Sequence, residues 1–187
     1  MEQFFAMLSR MKYINRWGLM SSTQSENIAE HSLDVAVIAH ALALLRTRRF
    51  GLPCDAERAA VLGLFHDATE IITGDLPTPV KYHSAEIRRA YGEVESLAAG
   101  RLLSMLPEDL RGDYAPLLSG GAPGDAALLP LVKAADNFDD TRGFKFSTYA
   151  VPVILGEMRR LFRDGGAVKV SRGLKELSMK AVRTAER

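Results

Sequence analysis

His66 and Asp67 are adjacent in the stretch Ala60-Val61-Leu62-Gly63-Leu64-Phe65-His66-Asp67-Ala68-Thr69-Glu70. A neutral imidazole and a carboxylate side by side can both ligate one metal ion. Glu70 follows one helical turn later, close to the face that carries His66. Burying such a cluster in an apolar helix is costly without a compensating partner, and a divalent metal would be one. His31, in Ala29-Glu30-His31-Ser32, and Asp136, in Lys133-Ala134-Ala135-Asp136-Asn137, extend the set. If the helices that carry them pack together, two imidazoles and two carboxylates converge. That mixed nitrogen and oxygen set suits Mn, Co, Fe, Ni or Zn and is a poor match for a soft thiolate site. Fewer than six protein ligands would leave room for water and a substrate. A bound metal lowers the pKa of its water to roughly 7 and polarises a phosphoryl oxygen, which is the chemistry of a metal-dependent hydrolase. Taken singly, the His-Asp pair also fits a local surface hydrogen bond, His31 a helix-terminal histidine and Asp136 a solvated acid. Their order along an all-helical chain favours the metal.

The elements that must position these groups read almost entirely as helix, with no confident strand and no internal repeat. Phe4, Phe5, Leu8, Met11 and Ile14 mark a first helix. A polar loop follows, and two capping boxes, Thr23 with Glu26 and Asn27 with Glu30, start the next helix between Thr23 and Asn27. That helix runs to about Leu45 and is apolar on nearly all sides from Val35 onward, as a central helix would be. Gly51-Leu52-Pro53 breaks the chain. Asp55 caps a helix that carries the His-Asp pair and stops at Gly74. The prolines of Asp75-Leu76-Pro77-Thr78-Pro79-Val80-Lys81 predict an extended loop. A regular stripe from Ile87 to Met105 predicts a helix ended by Pro107, preceded by a cap at Ser84. Residues 126 to about 139 read as another helix, and Ile154, Leu155, Met158, Leu161 and Phe162 as a further amphipathic one that Gly165-Gly166 ends. The tail from about residue 175 reads as a basic, frayed helix. No linker divides the chain, so the expectation is one all-α domain over residues 1–187, a bundle of roughly six to eight helices.

Composition narrows the function. Charged residues are 25% of 187 and the net charge is +1, which argues against long nucleic acid or an anionic membrane as partner. Cys54 is the lone cysteine, which rules out an internal disulfide or a Cys-rich zinc site and points to a cytoplasmic setting. The N-terminus lacks the pattern of a signal peptide. The longest apolar run, Val35 to Leu45, is too short to span a bilayer.

The order His, then His-Asp, then a distant Asp resembles the HD-domain metal-dependent phosphohydrolases. The surroundings carry the likeness further. Leu8-Ser9-Arg10, Ile14-Asn15-Arg16-Trp17, Glu30-His31-Ser32-Leu33, Phe65 to Glu70 and Thr73 to Tyr82 resemble the bacterial 5′-deoxynucleotidases of the YfbR type, nearly continuously from Phe4 to about Asp136. The resemblance implies an HD-type helical domain that hydrolyses 2′-deoxyribonucleoside monophosphates to deoxynucleoside and phosphate. It implies one divalent ion (Co, Mn, Zn or similar) on His31, His66, Asp67 and Asp136, with Glu70 acting on the nucleophilic water or the leaving oxygen. It places Arg16 and Trp17 at the substrate, the indole crowding the position of a ribose 2′-hydroxyl. Asp75, Leu76, Pro77 and Thr78 would hold sugar and phosphate, and Lys81 would add a phosphate contact. It also implies at least a homodimer. His40 and His83 receive no role. The chain departs from the resemblance at Gly18, where a proline is expected, and at the polar run from Asn137 to Gly143. The alternative activity is removal of a whole triphosphate from a dNTP. A non-catalytic nucleotide sensor is disfavoured, because all four ligands and Glu70 are present.

Overall fold

In the computed structural model of the chain, residues 2–16 and 25–138 are described, together with Pro152 and Gly156. The chain divides into two compact units, Met1–Phe138 and Asp139–Arg187. All that follows concerns the first. Its described regular elements are helical, which makes the fold all-α as the sequence predicts. They are α1 (Glu2–Leu8), running into a 3-10 turn over Ser9–Tyr13, then α2 (Ile28–Phe50), α3 (Ala56–Phe65), α4 (Glu70–Thr73), α5 (Thr78–Lys81), α6 (Ala85–Ser104), α7 (Glu108–Leu118) and, after a 3-10 turn over Pro123–Ala127, α8 (Leu129–Asp136). The proposed helix around Ile154, the Gly165-Gly166 break, the tail beyond 175, Thr23 and Trp17 all lie outside the described residues.

Local chemistry sets the helix ends. Asn27 accepts hydrogen bonds from the amides of Ala29 and Glu30, and the Glu30 carboxylate accepts from the Asn27 amide, so the second of the two anticipated capping boxes starts α2. Asp55 caps α3 and Ser84 caps α6, each accepting a backbone amide three residues on. α2 outruns its expected end at Leu45 by one further turn, stopping at Gly51, whose φ of 66° is the left-handed conformation glycine adopts without strain.

α2 is the central helix and packs mainly on α3 and α8. Ile28, Val35, Ala39, Leu42 and Ala43 are buried along it. By length and composition α2 could cross a membrane. Its packing between α3 and α8 is that of a core helix. The crossing with α3 is tight: a Cβ built on Gly63 would stand 2.9 Å from Ala36 Cα and 3.0 Å from Ala36 N. A second core joins Phe4, Ala68, Ala99, Leu102, Leu106 and Leu118, with Phe65 and Tyr114 in edge-on contact against it. Full burial of a side chain such as Leu102 is worth about 1.5–3 kcal/mol. A third, smaller core holds Met11, Ile28 and Ile71 together.

Three sequence expectations change. The helix bearing His66 does not run to Gly74; α3 ends at Phe65, residues 66–69 form turns, and α4 begins at Glu70. The amides of Ala68, Glu70, Ile71 and Ile72 bond to carbonyls three residues back, at Phe65, Asp67, Ala68 and Thr69. With three residues per turn, side chains at i and i+3 eclipse. Asp67 and Glu70 therefore fall on one side, while buried Ala68 and Ile71 anchor the other. The segment from Asp75 to Lys81 is not wholly extended: Thr78–Lys81 forms one helical turn, because proline is tolerated in a first turn where its missing N–H would be unpaired anyway. Residues 126–128 also fall short of regular helix: the 3-10 turn ends at Ala127, and α8 begins at Leu129 with Pro130 in its first turn.

Candidate metal centre

Four elements bring the polar groups together. His31 stands on the first turn of α2, His66 is the residue just past the end of α3, Asp67 sits in the turn that follows, and Asp136 closes α8. His31 Nε2 lies 3.1 Å from Asp136 Oδ1 and 3.8 Å from Asp67 Oδ2. His66 Nε2 lies 3.1 Å from Asp67 Oδ2 and 3.9 Å from Asp136 Oδ1. Bonds of about 2.1 Å to one ion put neighbouring donor atoms roughly 3–3.5 Å apart, so this spacing needs only small adjustment.

The donor set fits a metal on a second count. His66 Nδ1 lies 2.7 Å from the Gly63 carbonyl oxygen and donates to it. The neutral ring then presents a lone pair at Nε2. That atom is buried with no hydrogen-bond partner of sound geometry, despite the nearby Asp67 oxygen. That nitrogen faces a second imidazole and two carboxylates, so either a proton or a metal cation satisfies it. His31, His66 and Asp67 each offer a donor atom within 4.8 Å of the others. Asp136 stands at the solvent side, with its side chain 35% exposed.

The electrostatics follow from the same contacts. Burial works against charge on His66, but Asp136 and Asp67 more than offset it and push its pKa up to about 10 with no metal bound. Burial would raise Asp136, yet the two imidazoles outweigh it and hold its carboxyl well below the usual range. Glu70 is buried beside Asp67, and both effects push its pKa up to about 7, against the pull of Lys81.

Arg16 reaches the same centre. Its NH1 donates to Glu26 Oε2 at 2.8 Å and lies 2.7 Å from His31 Nδ1, and its NH2 lies 3.7 Å from Asp136 Oδ1. Asp75, Leu76 and Pro77 form the half-buried connector after Gly74, and Asp75 is near enough to bear on Glu70 electrostatically. Thr78 opens α5. Lys81 donates to Glu70 Oε1 at 2.6 Å and lies 5.2 Å from the centre of the Tyr91 ring. Its ammonium is engaged with the acid.

Sequence reasoning missed Glu26, Tyr91, Glu95 and Gly63. Glu26 fits a capping box with Thr23, but α2 starts after it and its carboxylate turns to Arg16. Burial pushes the Glu95 carboxyl of α6 up, Lys81 pulls it down and Asp67 pushes it up, so Glu95 is coupled to the same charges. Tyr91 and Glu95 lie on one face of α6, at i and i+4, and that spacing was the available signal.

An all-α bundle with histidines and aspartates meeting between helices defines the class: the fold is that of the HD-domain phosphohydrolases. It superposes on one of these from Listeria innocua with a TM-score of 0.62, at 20% identity, over 100% of this chain and 99% of the other. A conserved hypothetical protein of Pyrococcus furiosus gives 0.58 at 22% identity, over 88% and 98%. Residues 3–141 match the family described as 5′-deoxynucleotidase YfbR-like, and the chain belongs to that family. A 5′-deoxynucleotidase of Photorhabdus laumondii is 55% identical over 118 residues, 63% of this chain and 60% of the relative. The 5′-deoxynucleotidase YfbR of Shigella flexneri is 52% identical over 133 residues, 71% and 66%. The match thus spans less than two thirds of the length of these two relatives. A shorter match, to Sigma-70 region 2, covers residues 125–168.

Proposed function

We propose that the chain hydrolyses the 5′ phosphoester of 2′-deoxyribonucleoside monophosphates, releasing deoxynucleoside and orthophosphate with the help of one divalent ion such as Co, Mn or Zn. The observation that carries the reading is the orphaned, buried Nε2 of His66 facing His31, Asp67 and Asp136, with the buried acid Glu70 aligned on Asp67. Family membership supports the substrate class.

His31, His66, Asp67 and Asp136 would hold the ion. When bound, a divalent ion lowers the pKa of its water to roughly 7 and polarises a phosphoryl oxygen. Glu70, with its pKa about 7, is poised to take a proton from the attacking water and return one to the leaving oxygen. Lys81 keeps Glu70 oriented and partly ionised. Arg16 supplies a guanidinium for phosphate. Trp17 and residues 75 to 78 are assigned to the sugar, the indole excluding a 2′-hydroxyl. The reading includes a homo-oligomer working in the cytoplasm.

The test is a panel of the four dNMPs, the four dNTPs and AMP with Co, Mn, Zn and Mg, products read by chromatography. Orthophosphate from dAMP with little from AMP is expected, and Asp67→Ala should abolish both metal binding and turnover. Tripolyphosphate from dATP, equal turnover of AMP, or an active D67A would overturn the reading.

A further inference from the structure

The donor atoms are spaced for a metal, but Arg16 in its present position holds His31 in the tautomer that closes Nε2 to one. Its NH1 lies 2.7 Å from His31 Nδ1. A guanidinium can only donate, so Nδ1 is the acceptor here and Nε2 carries the hydrogen, which Asp136 Oδ1 accepts at 3.1 Å. A metal at Nε2 requires the opposite tautomer, with the lone pair on Nε2 and the hydrogen on Nδ1. Two N–H groups would then point at each other across 2.7 Å. One carboxylate stands ready: Glu26 Oε1 is 3.8 Å from His31 Nδ1, while its Oε2 accepts from Arg16.

The backbone explains why Glu26 is there. The Arg16 amide donates to the Glu26 carbonyl at 2.9 Å, and the Ile28 amide to the Ile14 carbonyl at 2.9 Å. Asn15 and Asn27 pair between them as an isolated antiparallel bridge. This short ladder fixes Glu26 beside Arg16, one residue before the Asn27 cap that begins the helix of His31.

Building on the metal reading above, we propose that Glu26 is a positioning residue for the metal centre, accepting the Nδ1 hydrogen of His31 while Arg16 withdraws from that nitrogen. Glu26 thereby selects the tautomer that leaves Nε2 open. The carboxylate behind a metal-bound histidine is typically worth 10- to 100-fold in metal affinity.

The experiment measures Zn(II) affinity by calorimetry with a competing chelator for the intact chain, Glu26→Gln, Glu26→Ala and Asp67→Ala. Nitrogen-15 NMR of the imidazoles reads the tautomer of the Zn-loaded wild type. E26A should bind Zn(II) 10- to 100-fold more weakly, and E26Q, whose amide oxygen still accepts, should return to within a few-fold of wild type. His31 should carry its hydrogen on Nδ1 in the loaded protein. Wild-type affinity in E26A, or equal weakening in E26A and E26Q, would overturn the proposal with the metal site intact. An Nε2–H tautomer of His31 in the loaded wild type would overturn it even if E26A failed to fold. A wild type that takes up no Zn(II), or a D67A that takes it up as well, would instead overturn the metal reading.

Discussion

Replacing Lys81 by Met tests how Glu70 is tuned. The methionine keeps most of the length and the apolar stem but removes the ammonium 2.6 Å from Glu70 Oε1. Burial and the charge of Asp67 raise the pKa of Glu70 to about 7, and Lys81 opposes both. Without Lys81 the pKa must rise further. A hydrogen bond between charged groups in a site this enclosed is worth about 1.5–3 kcal/mol. At 1.36 kcal/mol per pH unit, that moves the titration up by roughly one to two pH units. If Glu70 works as a carboxylate, the acidic limb of the kcat/KM profile moves by the same amount. At the pH where the wild-type acid is half ionised, the ionised fraction falls from half to between about 10% and 1%, a loss of roughly 5- to 50-fold in kcat/KM. Activity should return about one to two pH units above that midpoint. A bound cation lowers Glu70 in both proteins, so the difference between them survives metal loading. The assay is dAMP hydrolysis from pH 5 to 10 at saturating metal. A uniform fall in kcat/KM with the limb unmoved would refute the argument and return Lys81 to a phosphate contact.

Three other outcomes follow from geometry already described. Because the carboxylates around His66 hold its pKa at about 10, proton and metal compete for one ring; metal affinity should rise with pH from 6 to 9, with proton release visible as buffer-dependent calorimetric heats. Gly63→Ala should cost roughly 1–3 kcal/mol, since its Cβ meets the backbone of Ala36, and should weaken metal binding as well; urea unfolding and metal titration read the two effects. Asp125 is buried and bonds Arg58 through both oxygens, at 3.0 and 2.7 Å, so Asp125→Ala should destabilise by about 2–3 kcal/mol, lowering Tm by roughly 5–10 °C while metal affinity stays unchanged.

The parts of this fold that depend on neighbours in sequence were readable in advance. Asn27 with Glu30, Asp55 and Ser84 cap helices because a side-chain oxygen meets amides two or three residues away. The residues of the candidate metal centre could be picked out by type and order, and the fold brings them within a few ångströms of one another, though those distances were not legible. The break at residues 66–69 was not, because the apolar pattern runs unbroken through Phe65, Ala68, Ile71 and Ile72. The interruption comes from tertiary packing, with Ala68 in one core and Ile71 in another. Glu26 was misread for the same reason: its partner Arg16 is ten residues away and reaches it through a backbone ladder that no local periodicity signals. The ion pair of Lys81 with Glu70 was not legible either, because a lysine in a loop has no visible partner until the fold places Glu70 2.6 Å from it.

Gly63 acts twice within one residue. Its missing side chain lets α3 close on α2 at Ala36, and its carbonyl aims the ring of His66. The spacing of the core helices and the direction of the lone pair proposed to bind the metal are therefore one mechanical variable. Engineering that tightens or loosens this crossing for thermal stability would retune ion affinity at the same time, even though no residue touching the ion had been altered. Stability and ion selectivity at this crossing would have to be optimised jointly, with Ala36 and Gly63 varied as a pair.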